Sequence, residues 1–252
     1  MVTHMKSAHT KYQSLLGRRI VITGGTTGLG RAIALRLSAE GASVLIFGRH
    51  KPELDDAMRD IAASGFAPIG IVADVTLKAD VDRVFARVDE EWDGMDVLVN
   101  NAAVGAGSLE EETEEACEYA VMTNVSGYLL CAKRALERMK PNAHIVLVGS
   151  ISADRRNPGG SVYVATKSAI QGFAESFRQE AAVKGIKVSL VEPGKTGSDM
   201  IDQDLDEQRE SQEKLEMLKA EDIAVAVEYI LTQPARCTVS DLKIVPTKAP
   251  DA

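Results

Sequence analysis

The chain is predicted to fold as a single α/β domain, a parallel, doubly wound sheet with helices on both faces. Three observations predict it. Short β-branched runs alternate with helical stretches from residue 19 to residue 245, the rhythm of strands joined by right-handed helical crossovers. The first run passes straight into a glycine-rich turn that opens a helix. No repeat, linker or low-complexity stretch divides the 252 residues, and at 45% hydrophobic they can bury one large core.

Residues 1–16 read as a peripheral leader and residues 17–252 as the domain. Arg19–Thr23 is the first strand, followed by Gly24-Gly-Thr26-Thr27-Gly28-Leu29-Gly30 and an amphipathic helix, Arg31–Glu40. Glycines let the backbone turn tightly and approach a pyrophosphate, whose charge meets the amides of the helix N-terminus. The second strand, Ser43–Phe47, ends at Gly48-Arg49-His50. An acid there would bind the adenosine ribose 2′-hydroxyl of NAD. Instead Gly48 leaves room and Arg49 offers a guanidinium to a 2′-phosphate, which reads as NADP; the bland alternative is a solvated turn arginine. Pro52 opens a helix through Ser64, and Ala67–Ala73 is a third strand ending at Asp74-Val75. The Asp74 carboxylate could accept from an adenine amino group or cap a helix beginning at Thr76.

That helix runs to about Glu91, and Asp96–Asn100 is the next strand, turning at Asn101-Ala102-Ala103. The acidic run Glu110–Glu115 suits a solvated helix entrance. Asn124 and Gly127 fall inside the following helix, where both residue types cost stability. His144–Gly149 is a buried strand ending at Ser150, and a loop leads to a helix that carries Tyr163 and Lys167 and continues to about Lys184. Four residues apart, these two side chains share a helix face. A free phenol, with a pKa of about 10, is a poor acid or base near neutrality, and a neighbouring ammonium pulls that value down. With the Ser150 hydroxyl at a strand end, the three could grip one carbonyl oxygen. Lys187–Val191 leads to Glu192-Pro193-Gly194, residues 199–219 read as a helical flap with Met200 and Met217, and a helix from Ala220 to about Thr232 precedes a last strand, Leu242–Val245.

Composition narrows the function. A net charge of −8 without a basic cluster argues against nucleic acid, and no apolar run reaches membrane-spanning length. The start Met1-Val-Thr-His-Met-Lys has no signal-peptide core. Cys117, Cys131 and Cys237 lack any C-x-x-C spacing, and His4, His9, His50 and His144 lack ligand spacing, so no metal is expected. A reduced, cytoplasmic protein is the expectation.

From about Gly17 to Thr247 these motifs together resemble the short-chain dehydrogenase/reductase family. Thr23–Gly30 matches its cofactor loop, Asn100–Ala103 its N-N-A-G, Tyr163–Lys167 its Y-x-x-x-K, and Pro193-Gly194 its P-G turn. Asn124 and Ser150 fall where the family keeps the rest of a catalytic tetrad. The resemblance implies a Rossmann-type sheet of about seven strands, NAD(P)-dependent chemistry on a carbonyl or alcohol, and a homo-oligomer, usually a tetramer. It implies that Lys167 binds the nicotinamide ribose and that Asn124 holds a water joining Lys167 to solvent. Pro193, Gly194 and Thr196 would flank the nicotinamide. Two departures are small: Ala103 replaces a glycine, and Ser198 stands where threonine is usual.

The chain end, without the glycine-rich segment of many members, is similar to the NADP-dependent branch acting on serine and other 3-hydroxy acids. Arg155, Arg156 or Lys195 would then meet the substrate carboxylate, unless they are solvated loop cations. An apolar ketone or aldehyde, a 3-oxoacyl-carrier-protein substrate, and a non-catalytic NADP sensor are the alternatives.

Overall fold

A computed structural model describes residues 10–198 and 203–249 of the protein. Among these, seven strands form one parallel sheet: β1 (Arg19–Thr23), β2 (Ser43–Gly48), β3 (Ile69–Val72), β4 (Met95–Asn100), β5 (Met139–Val148), β6 (Lys187–Pro193) and β7 (Asp241–Ile244). The order is β3-β2-β1-β4-β5-β6-β7, the Rossmann-type arrangement expected. Connections reverse direction between β1 and β4, and the carboxyl ends of the strands there leave a crevice for a ligand.

Both faces are covered, which explains the nearly continuous apolar strands. Val21, Leu98 and Ile145 face a layer made by α3 (Lys78–Glu91), α5 (Gly127–Leu136) and α7 (Ser161–Ala182). Ile20, Ile22, Val97 and Val99 face the opposite layer of α1 (Gly28–Ala39), α2 (Lys51–Ser64) and α9 (Ala220–Leu231). The remaining helices, α4 (Glu114–Val121), α6 (Ser152–Arg155) and α8 (Leu205–Glu213), lie toward the carboxyl edge with the connecting loops. Among the described residues no helix is long and apolar enough to cross a membrane.

Several boundaries differ from the sequence expectation, each for a local reason. Thr76 does not begin α3: its N–H and hydroxyl both donate to Asp74 Oδ1 at 2.8 Å, closing a turn that delays the helix to Lys78. The helix expected through Asn124 is interrupted by a π-helical turn, Met122–Ser126, between α4 and α5. β5 begins at Met139, where the exposed polar stretch Lys140–Asn142 hides the strand pattern. Of the flap expected over 199–219, Leu205–Glu213 is helical, whereas Met217 is buried in the domain. Leu218 donates to the Lys195 carbonyl at 2.9 Å and accepts from Gly197 at 2.8 Å, so that end belongs to the core. Met200 lies outside the described residues, as do residues 1–9 of the leader with His4 and His9. In the described part of the leader, Leu15 is buried and the Gln13 N–H donates to Thr232 O at 2.7 Å.

Candidate active site

The strand ends open into a cavity of about 950 Å³. Its floor is the turn after β1. Gly24 and Gly28 have φ of 61° and 49°, and a Cβ on Gly24 would stand 2.9 Å from Ala102 Cα. Thr27 leads into α1 without a side-chain cap, and the first turn carries no acid. The leading amides are therefore left for an anion, and the glycine-lined cradle fits a pyrophosphate. Thr26, Thr27, Gly28 and Leu29 line the cavity. Gly30 does not; a Cβ there would lie 2.1 Å from Gly24 O, so its part is to let α1 pack onto the turn. Thr23 Oγ1 accepts from the N–H groups of Asn101 (2.8 Å) and Ala102 (2.7 Å), and Asn101 Nδ2 donates to the carbonyls of Thr23 (3.0 Å) and Gly24 (3.2 Å). This ties the Asn101–Ala103 turn, which also lines the cavity, to the cradle.

Arg49, His50, Asp74 and Val75 gather at one end of the cavity wall. Gly48 is needed there, since a Cβ would meet Thr26 Oγ1 at 2.6 Å. Two residues that sequence reasoning missed, Glu53 and Tyr119, line the same wall. Neither had a signal: one sits in the first turn of α2 and the other on α4, each in a stretch that reads as a solvated helix.

At the other end, Ser150, Tyr163 and Lys167 come together in the same cavity. Ser150 follows β5, held by Gly149 N–H to Val191 O (2.7 Å) and Ile151 N–H to Pro193 O (3.1 Å). Lys167 is buried; its Nζ donates to Val148 O at 3.0 Å and lies 5.6 Å from the ring centres of both Tyr163 and Tyr128. Burial lowers the Lys167 pKa to about 8. Burial also raises the Tyr163 phenol above its ordinary value, with Ser150 pulling the other way. The net shift on Tyr163 is thus opposite to the depression expected from the lysine: burial raises it, and the opposing influence is the Ser150 hydrogen bond. Asn124 does not line the cavity. Its Oδ1 accepts from Val104 N–H at 2.8 Å, and Nδ2 donates to Val104 O (2.9 Å) and Thr166 Oγ1 (3.1 Å). The π-helical turn sets this buried amide between the β4–α4 loop and α7.

Residues 18–209 match the family model for short chain dehydrogenases. The chain belongs to the short-chain dehydrogenase family. Its sequence is 32% identical over 230 residues to an uncharacterized oxidoreductase of Staphylococcus epidermidis, covering 90% of this chain and 96% of that one. In structure it is similar to a short chain dehydrogenase from Burkholderia cenocepacia J2315 in complex with NADP, with a TM-score of 0.85 and 30% identity over 95% of this chain and all of that one. It is also similar to 3-ketoacyl-(acyl-carrier-protein) reductase from Brucella melitensis complexed with NADH, with a TM-score of 0.81 and 27% identity over 92% of this chain and 98% of that one.

This short-chain dehydrogenase is an oxidoreductase whose remaining wall is formed after β6 by Pro193, Gly194, Thr196 and Ser198. Thr196 is buried and its hydroxyl donates to Gly194 O at 2.9 Å. Of the three cations singled out, Arg155 and Lys195 line the cavity and neither side chain has a protein partner among the described residues. Arg156 does not line it: in the left-handed region with φ of 51°, it turns back so that Nε donates to Ala153 O at 2.9 Å. Cys131 is buried in the core, its thiol raised to about 12 by burial, which suits packing. Among the described residues no cluster of His, Cys, Asp and Glu is placed to hold a metal ion.

Proposed function

We propose that this oxidoreductase interconverts a carbonyl and a secondary alcohol with NADP(H), acting on a small 3-hydroxy acid of the serine type. The observation that carries the reading is one cavity holding an uncapped glycine cradle at α1, the Ser150–Tyr163–Lys167 cluster, and Arg155, whose side chain has no partner among the described residues. The relative from Burkholderia, solved with NADP, supports the cofactor.

When bound, the nicotinamide supplies or accepts the hydride. Tyr163 gives a proton to the carbonyl oxygen, or takes one from the alcohol. Ser150 orients that oxygen and stabilises charge developing on it. Lys167 contributes its field and a donor for the ribose, while Asn124 positions the Val104 loop against α7. A water link from Asn124 to Lys167 stays a separate proposal, with no support from the amide's own bonds, both ends of which go to protein groups. Arg155 meets the substrate carboxylate. We further propose a cytoplasmic protein that forms a homo-oligomer, a tetramer or dimer; the assembly is supported by Val121, Met122 and Leu129, exposed on α4, the π-helical turn and α5.

Cofactor absorbance tests the reading, with serine, other 3-hydroxy acids and simple ketones, each with NADP(H) and NAD(H). Turnover of the acids with NADP, lost in Tyr163→Phe, is expected. In Arg155→Ala the KM for the acid should rise about tenfold or more, as for loss of a charge-assisted bond, and little for an uncharged alcohol. Activity on apolar ketones alone would discard the acid, turnover of a 3-oxoacyl thioester would favour the reductase reading, and tight NADPH binding without turnover would favour a sensor.

A further inference from the structure

Tyr119 stands in the wall of the cofactor cavity, and three contacts join it to the residues beside it. Arg49 Nη1 donates to the Tyr119 phenol oxygen. The guanidinium carbon lies 5.2 Å from the centre of the Tyr119 ring. The phenol in turn donates to Asp74 Oδ2 at 3.4 Å. Asp74 is itself fixed, with Oδ1 taken by Thr76 and its N–H donating to Asp80 Oδ2 at 2.9 Å. The ends of β2 and β3 are thereby joined through one side chain of α4.

We propose that Tyr119 is a positioning residue that holds the Arg49 guanidinium at the adenosine end of the cavity and so sets selectivity for a 2′-phosphate. The inference rests on the NADP reading. An arginine on an exposed turn samples many rotamers, and ordering it at the moment of binding weakens the contact. Packing over an aromatic ring with one donor tied down removes much of that cost. Arg49 makes no other side-chain hydrogen bond among the described residues, so its remaining donors are left for a planar, bidentate contact with phosphate oxygens. Burial, before any other influence, raises the Tyr119 pKa, which keeps the phenol a donor to Asp74 with a lone pair for Arg49. The same bond occupies Asp74 Oδ2, a carboxylate oxygen that would otherwise compete for the guanidinium.

Calorimetric titration with 2′,5′-ADP and 5′-AMP reads the 2′-phosphate directly, without turnover. Wild-type protein should bind 2′,5′-ADP the more tightly, and Arg49→Ala should abolish the preference. Tyr119→Phe, which keeps the ring and loses both hydrogen bonds, should reduce the ratio of affinities about threefold to tenfold. Tyr119→Ala should bring the ratio close to that of Arg49→Ala; circular dichroism confirms that each variant is folded. Equal binding of the two probes by the wild-type protein overturns the NADP reading, and the proposal with it. A wild-type preference that Arg49→Ala removes but both Tyr119 variants keep overturns the proposal alone. So does a loss of affinity for both probes that leaves their ratio unchanged, which would make Tyr119 a packing residue for the adenosine.

Discussion

Lys167 and Tyr163 stand one turn apart on α7, with the ammonium 5.6 Å from the centre of the phenol ring and committed to the Val148 carbonyl at 3.0 Å. Burial raises the phenol and lowers the ammonium, and Ser150 pulls the phenol back. In this state the phenol holds its proton at neutrality, as the proposed donation to a carbonyl oxygen requires. Tyr163→Phe removes the proton donor and leaves the ring. For carbonyl reduction kcat/KM should fall by about 10²–10⁴. A folded variant that keeps more than about a tenth of the rate would remove Tyr163 from that role.

Asn124 is expected to matter for stability as well as rate. Replacing it by alanine leaves the Val104 N–H and C=O without their partner, while the Thr166 hydroxyl keeps its bond to Tyr163 O at 2.8 Å. An unpaired buried polar group costs about 1–3 kcal/mol, but Val104 is half-buried and lines the cavity, so water relieves part of it and a loss of roughly 1–3 kcal/mol is expected for Asn124→Ala. Denaturant unfolding measures it. A variant of wild-type stability but poor turnover would argue for the water-holding role over the positioning one.

His144 gives the fold an acid limit. Its ring is buried, with Nε2 2.8 Å from Ser189 Oγ, which donates onward to Val239 O at 2.6 Å. Burial, then Lys187 and Arg18, depress its pKa to about 3 from an ordinary 6.5. The folded pKa lies below the unfolded one, so the stability linked to neutral His144 is complete above about pH 6.5 and is lost as pH falls toward 3. At about 1.4 kcal/mol per unit, the loss between pH 6.5 and 4.5 is roughly 2–3 kcal/mol. Unfolding curves at those two pH values, for wild type and His144→Asn, test this; the variant should show a smaller loss, and equal losses would exclude His144 as the cause.

Glu53 opposes the bound 2′-phosphate in the NADP reading. It lines the cavity three residues after His50, and its Oε2 is buried without a hydrogen-bond partner among the described residues. A carboxylate near a phosphate raises the energy of the complex. Glu53→Gln should therefore tighten NADPH about threefold to tenfold relative to NADH, read by quenching of cofactor fluorescence. A fall in NADH affinity instead would mark Glu53 as an acceptor for the ribose hydroxyls.

Much of the site is written in short stretches of sequence. Gly24–Gly30 follows a strand and opens a helix, Tyr163 and Lys167 are one helical turn apart, and the β-branched runs alternate with helices, so the fold class, the glycine turn and the Tyr163–Lys167 pair can be read from local spacing. Asn124 and Gly127 stood out as costly inside a helix, with no sign that a π-helical turn holds Asn124. Tertiary structure alone brought Tyr119 to Arg49, 70 residues away in the chain, and to Asp74, 45 away. It also turned Arg155 into the cavity and Arg156 away from it, buried Met217, and set the Tyr163 and Lys167 shifts by desolvation. Helix, strand and turn preferences are set by neighbours a few residues apart, whereas burial and long-range partners depend on which surfaces the crossovers bring together.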